Sequence, residues 1–152
     1  MLLKENVAIV TGGTKGIGRA ICLLFAEEGA RVVANFSKDV EAAENLMAEA
    51  KSRRLSLGLF KADITQFDPV KEMVEETFAQ YGKIDILVNN AATNPAMGPI
   101  VETEEKIYDH IMETNLKGYF MMSRFAGAIM VKQKSGNIIN ISSAGGVSPA
   151  EG

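Results

Sequence analysis

Cysteine is almost absent from this chain: one thiol, Cys22, in 152 residues cannot form an internal disulfide, which points to a reducing compartment. Histidine is as scarce, and His110, with no second soft ligand at zinc spacing, leaves no metal site to expect. Neither sign of charge dominates, since sixteen Lys and Arg stand against nineteen Asp and Glu for a formal charge of −3. That balance removes the broad attraction on which nucleic-acid binders depend. Long apolar runs are missing too: the stretch MLLKENVAIVTGG runs straight into glycines without a signal-peptide core, and no run approaches the ~18 residues of a membrane span. Repeats, low-complexity tracts and linkers are also lacking. These absences imply a single cytoplasmic domain over residues 1–152 with no nucleic-acid or membrane partner. With 47% hydrophobic residues, the length suffices for one core of ordinary size.

What is present is a regular change of apolar period. Strand-like runs occur at Val7–Val10, Arg31–Asn35, Leu55–Phe60, Ile84–Val88 and Asn137–Ile141, mostly aliphatic and without clean alternation, as strands covered on both faces are. Helical stretches fall between them: 16–28 with Gly29 past the end, 40–52 with Asp39 placed to cap, and one opened by Asp68-Pro69 and stopped at Gly82. Thr103-Glu104-Glu105 opens a further helix to Glu113, and a last one spans Leu116 to Lys134. Alternating strands and helices predict a Rossmann-like α/β fold, a doubly wound parallel sheet with helices on both faces. The last helix is apolar nearly all round, which predicts burial on a second side against a partner subunit and hence a homo-oligomer.

The first strand runs into Thr11-Gly12-Gly13-Thr14-Lys15-Gly16-Ile17-Gly18 and then a helix. Such a turn offers backbone N–H groups and a helix N-terminus to an anion, with no side chains in the way of a pyrophosphate. Gly13 to Gly18 has a P-loop spacer, but Arg19-Ala20 follows where Lys-Ser/Thr must hold phosphates and Mg²⁺, which disfavours a kinase or NTPase. The spacing Gly12-x-x-x-Gly16-x-Gly18 also departs from G-x-G-x-x-G.

Taken together with Asp63 after the third strand, Asn89-Asn90-Ala91-Ala92 after the fourth, Asn115, and Ile141-Ser142-Ser143 ending the fifth, this glycine turn resembles the short-chain dehydrogenases/reductases over essentially the whole chain. Ala92 stands where the family motif usually has glycine. The resemblance implies that Gly12, Thr14, Lys15, Gly16 and Gly18 form the phosphate turn, with Ile17 beside the pyrophosphate and nicotinamide ribose. It further implies that Asp63 binds the adenine amino group with the Ile64 backbone nearby, and that Asn89, Asn90 and Ala91 lie along the adenosine-side ribose and brace the central strands. Each has a structural alternative: Asp63 as an Asx turn before Thr65, the asparagines as partners of strand-end carbonyls. At the end of the second strand, Asn35-Phe36-Ser37-Lys38 carries no carboxylate for the ribose of NAD. Ser37, Lys38 and Lys15 suit a 2′-phosphate, so NADP is expected over NAD, and an aspartate at Asn35 would reverse the choice. The alternative has Asp39 bend back to the ribose.

For catalysis, the resemblance assigns Ser143 to hold a substrate carbonyl oxygen, with Ser142 as neighbour, and Asn115 to support a water-mediated proton path and fix a local backbone distortion. Asn115 alternatively caps the last helix. The family's proton donor, a Tyr-x-x-x-Lys motif, is absent: Asp85, Met112 and Ser123 stand four residues beyond Tyr81, Tyr108 and Tyr119. The expected protein is therefore the N-terminal, cofactor-binding portion of a truncated oxidoreductase whose C-terminal strands are missing. It would interconvert a ketone and an alcohol, with a carrier-bound 3-oxoacyl group as one candidate substrate. The alternative is a non-catalytic nucleotide-binding or interaction module. His110 reads as a surface residue, Cys22 as core packing, and Met97 lies in a loop expected to face the ligand.

Overall fold

Strands without polar alternation must be covered on both faces, and the central strands of a five-stranded parallel sheet meet that need, whereas the edge strand at residues 137–140, expected to be covered, is exposed throughout. The computed structural model describes residues 1–95, 98–146 and 148. Strands β1 (Val7–Val10), β2 (Arg31–Phe36), β3 (Leu57–Lys61), β4 (Ile86–Asn89) and β5 (Asn137–Asn140) form one sheet in the order β3-β2-β1-β4-β5. Every pairing is parallel. The connecting helices are α1 (Gly16–Glu27), α2 (Val40–Ser52), α3 (Phe67–Tyr81), α4 (Glu105–Met112) and α5 (Gly118–Gln133). None of the described helices is long and apolar enough to cross a membrane.

The pleat divides the core in two. Ile9, Val33 and Leu87 turn to one face and pack with Met73 and Val74 of α3 and Met121, Met122 and Ala126 of α5. Ala8, Val10, Val32, Ala34 and Val88 turn to the other, against Cys22, Leu23 and Ala26 of α1 and Leu46 of α2. Cys22 is core, as expected, and burial pushes its thiol up to about 12, so it stays neutral. On α5, Leu116 just before it and Phe120 and Val131 within it remain exposed. Met97 lies outside the described residues.

Several boundaries differ from expectation for identifiable reasons. Leu55 does not begin β3, because its N–H still donates to Ala50 O and finishes the turn after α2. Ile84 does not begin β4, because its N–H and C=O are both taken by the Gln133 side-chain amide, at 2.9 Å each. Asp68 does not cap α3: Gln66 holds the cap position without a side-chain bond, and Asp68 lies in the first turn, where the dipole favours it. Asp39 does cap α2, accepting from Ala42 N at 3.0 Å. The last two helices are joined by a π-helical turn, Glu113–Lys117, so Asn115 caps nothing.

Outside the sheet, α1 and α2 are linked by ion pairs from Arg19 to Glu49 and from Arg53 to Glu27, and Arg53 also pairs with Glu49 one turn back at the end of α2. The bond from Arg19, then that from Arg53, holds the Glu49 carboxyl below its ordinary value of 4.5, and the Leu2 N–H does the same for Glu28. A carboxylate with a lowered native pKa stabilises above its unfolded value and loses that contribution as pH falls through the native one. Urea midpoints should therefore fall below about pH 4.5, and Glu49→Gln should lower the midpoint at neutral pH while making this acid limb shallower.

Candidate functional site

The sheet runs outward in opposite directions from β1 and β4, so the chain parts above their carboxyl ends, where ligands of open α/β sheets bind. Thr11, fully buried at the end of β1, holds this place together. Its N–H donates to Val88 O at 3.0 Å, and its hydroxyl accepts from Asn90 N at 2.9 Å and Ala91 N at 3.0 Å. The Asn90 amide donates back to Thr11 O at 2.9 Å and reaches Gly12 O at 3.3 Å. Glycine is required beside this clamp: a Cβ on Gly18 would stand 2.2 Å from Gly12 O and 2.5 Å from Asn90 Nδ2. At Gly16 the constraint is different, for φ is +54° and nothing lies within 4 Å of where a Cβ would be. The turn thus keeps an open cradle under backbone N–H groups at the start of α1.

A cleft of about 650 Å³ opens on the β2 side of the divide. Gly12, Thr14, Lys15, Asn35, Ser37, Lys38, Asp63, Ile64, Asn90 and Ala91 of the predicted cofactor set all line it. Asn35 does so as a bracket. It is 2% exposed, its amide donates to Ala62 O at 2.9 Å and reaches the carbonyls of Phe36 and Phe60, and its Oδ1 faces Gly12 N at 3.4 Å. This corrects the expectation that position 35 presents its side chain to a ribose: the side chain is consumed in tying β2 to β3 and to the glycine turn. Phe36, Ser37 and Lys38 are what that strand end offers the cleft. Asp63 forms the Asx turn, with Oδ1 accepting from the N–H and hydroxyl of Thr65 at 2.9 and 2.8 Å. The Ile64 side chain points into the core.

A second cleft, of about 700 Å³, lies on the β5 side and shares Asn90 and Ala92 with the first. Ile17, Asn115, Tyr119, Ser142 and Ser143 line it. Asn115 clasps the loop after β4, its Oδ1 accepting from Thr93 N at 2.8 Å and its Nδ2 donating to Thr93 O at 2.9 Å. Ser143 Oγ accepts from Gly145 N at 3.2 Å, at the entry to a short 3₁₀ turn, Ala144–Gly146. The Tyr119 hydroxyl donates to Ile141 O at 3.2 Å, and burial raises its pKa, which keeps it a donor at neutral pH.

Asn89 lines neither cleft. It is fully buried, and its amide donates to Ser123 Oγ at 3.0 Å and Asn140 Oδ1 at 2.9 Å, binding β4 to α5 and β5. Its own Oδ1 finds no partner among the described residues. Three residues that sequence reasoning left aside, His110, Glu113 and Thr114, also line the first cleft, with His110 Nε2 3.5 Å from Thr93 Oγ1. Their i, i+3, i+4 spacing, which places them on one helix face, is the signal that could have found them.

An open parallel sheet with a glycine turn at its topological divide defines a Rossmann-like nucleotide-binding fold. The chain belongs to the short chain dehydrogenase family, whose model matches residues 6–152. It is 39% identical over 149 residues to the 3-oxoacyl-[acyl-carrier-protein] reductase FabG of Thermotoga maritima, covering 97% of this chain and 59% of that protein. Against the FabG of Staphylococcus aureus (strain Mu50) it is 39% identical over 139 residues, covering 91% and 56%. The chain thus spans little more than half the length of these curated relatives. Among solved structures, a metagenomic short-chain oxidoreductase in complex with NADP superposes with a TM-score of 0.91 at 32% identity, over 99% of this chain and 68% of that one.

Two substitutions test the framework. Thr11→Val leaves the N–H groups of Asn90 and Ala91 without their acceptor and should cost about 1–3 kcal/mol in urea denaturation. Asn35→Asp sets a carboxylate against the carbonyls of Phe36, Phe60 and Ala62, and should lower the melting temperature by roughly 5 °C or more instead of cleanly exchanging cofactors.

Proposed function

We propose that residues 1–152 form the NAD(P)-binding unit of an oxidoreductase that interconverts a ketone and an alcohol, with NADP(H) preferred. The observation that carries this reading is the pair of clefts meeting at Asn90 and Ala92 above the β1/β4 divide, one beside the glycine turn and one beside Ser143. The residues present fit a dinucleotide. The open cradle at Gly16 and the N–H groups of the turn suit a pyrophosphate, with Gly12, Thr14 and Gly18 shaping the turn and Ile17 at the passage to the second cleft. The second carboxylate oxygen of Asp63 and the Ile64 backbone suit the adenine amino group, and Asn90 and Ala91 suit the adjoining ribose. Ser37, Lys38 and Lys15 suit a 2′-phosphate. The relative solved with NADP supports the same preference.

Residues 12–18, with Asp63, Asn90 and Ala91, would hold the dinucleotide, which would contribute the hydride for a carbonyl carbon, and the proton for the resulting alkoxide would be drawn from water. The Ser143 hydroxyl donates to the carbonyl oxygen as charge develops on it. Asn115 acts through position: its grip on Thr93 holds the π-turn against the loop after β4, beside a water-mediated proton path. Tyr119 is not the acid, since its raised pKa and its bond to Ile141 O commit it to structure. Asn89 braces the strands without touching the cofactor. The names of the curated relatives favour a carrier-bound 3-oxoacyl substrate. The exposed Leu116, Phe120 and Val131 favour a homo-oligomer through α5, and a lone buried cysteine suits a cytoplasmic, reducing setting.

Calorimetric titration tests the reading. The chain should bind NADPH at least as tightly as NADH, and Gly16→Val should abolish binding of both by filling the cradle and straining a positive φ. Binding of ATP-Mg²⁺ without either dinucleotide would overturn it. With the complete reading frame expressed, NADPH oxidation should follow addition of a 3-oxoacyl thioester, and Ser143→Ala should reduce turnover by ~10²-fold.

A further inference from the structure

The first cleft carries an ion pair at the point where cofactor selectivity is decided. Lys15 of the glycine turn donates to Asp39 Oδ2 at 3.5 Å, and both residues line the cleft with Ser37 and Lys38. The pair is unequal in freedom. Asp39 is anchored, because its Oδ1 accepts from Ala42 N at 3.0 Å as the cap of α2, whereas Lys15 reaches it on a long flexible stem in solvent. The cap also holds the Asp39 carboxyl below its ordinary pKa, so it is charged at neutral pH. Lys38 has no ion-pair partner among the described residues. The remaining charged or titratable side chains of the cleft are Asp63, Glu113 and His110.

We propose that Asp39 is a selectivity-determining residue: by fixing Lys15 in an ion pair at the rim of the cleft, it weakens the chain's preference for a 2′-phosphorylated dinucleotide. The inference rests on the cofactor reading above. A 2′-phosphate needs a cation, and the nearer of the two lysines to the glycine turn is already partnered. To recruit Lys15 the phosphate must break the pair and accept a neighbouring carboxylate that cannot swing away without uncapping α2. A ribose 2′-hydroxyl pays neither cost, since it carries no charge. Lys38 then supplies the residual preference for the phosphate, and Asp39 keeps NAD(H) within reach.

The test is a cycle of binding measurements with NADP⁺ and NAD⁺ at low salt. Asp39→Asn and Asp39→Ser retain a side-chain oxygen for Ala42 N, and melting curves should show α2 still capped. Either change should raise NADP⁺ affinity by about two- to fivefold, the upper part of the span an exposed ion pair commands, and leave NAD⁺ affinity unchanged. The gain should shrink at high salt. It should also vanish when Asp39→Asn is combined with Lys15→Met. An unchanged NADP⁺/NAD⁺ ratio in both Asp39 variants overturns the proposal, and so does a gain that survives Lys15→Met. If the unaltered chain binds neither dinucleotide, the cofactor reading itself fails and the selectivity argument falls with it.

Discussion

Everything that concerns ligands in this molecule depends on one buried hydroxyl. Thr11 stands where β1 and β4 end side by side and their continuations diverge, and its Oγ is the shared acceptor for two consecutive N–H groups of the strand beyond. Without it, those half-buried donors would lose their only protein acceptor among the described residues. With it, and with Asn90 returning the bond to Thr11 O, the glycine turn and the Asn90–Ala92 segment become one rigid wall between two clefts. The close approach of Gly18 to Gly12 O follows from the same clamp, because the first turn of α1 has to fit beneath it.

The order of elements was legible because it rests on local signals. The aliphatic runs of β1 and β4 need cover on both faces, Asp39 is a strong cap for α2, and Gly82 takes the left-handed φ of +76° that ends α3. What sequence reading missed depends on partners far along the chain. Gln133 replaces the strand partner of Ile84 across 49 residues, and Asn115 reaches back 22 residues to Thr93 in place of capping a helix. Asn35 was placed on the right element with its side chain on the wrong business. Period-2 alternation puts it on the same face as Val33, which is buried, and that phase argument could have shown that the amide faces inward.

The site residues show the same division. Gly12, Thr14, Lys15 and Asp63 line the first cleft through backbone geometry that short motifs encode, whereas Ile17 lines the second cleft and Gly16 and Gly18 line neither. His110, Glu113 and Thr114 share a helix face by their spacing, but that this face meets the first cleft depends on contacts with the loop after β4, such as that between His110 and Thr93, which the spacing does not announce. Asn89 shows the converse: a motif residue whose side chain serves two neighbouring elements, α5 and β5, and leaves the clefts to Asn90 and Ala91.

The π-turn between α4 and α5 makes the two helices one rod with a slipped phase. An α-helix advances about 100° per residue, and a turn closed by i→i+5 bonds advances less, so five residues of it rotate all that follows by a fraction of a turn. Upstream of the slip, His110 faces the first cleft; downstream, Tyr119 and Ser123 face the second. A straight helix through the same residues would carry Tyr119 to about the opposite side from His110. The dislocation therefore works as an angular gear, letting a single stiff element serve two neighbouring compartments with different stretches of its length.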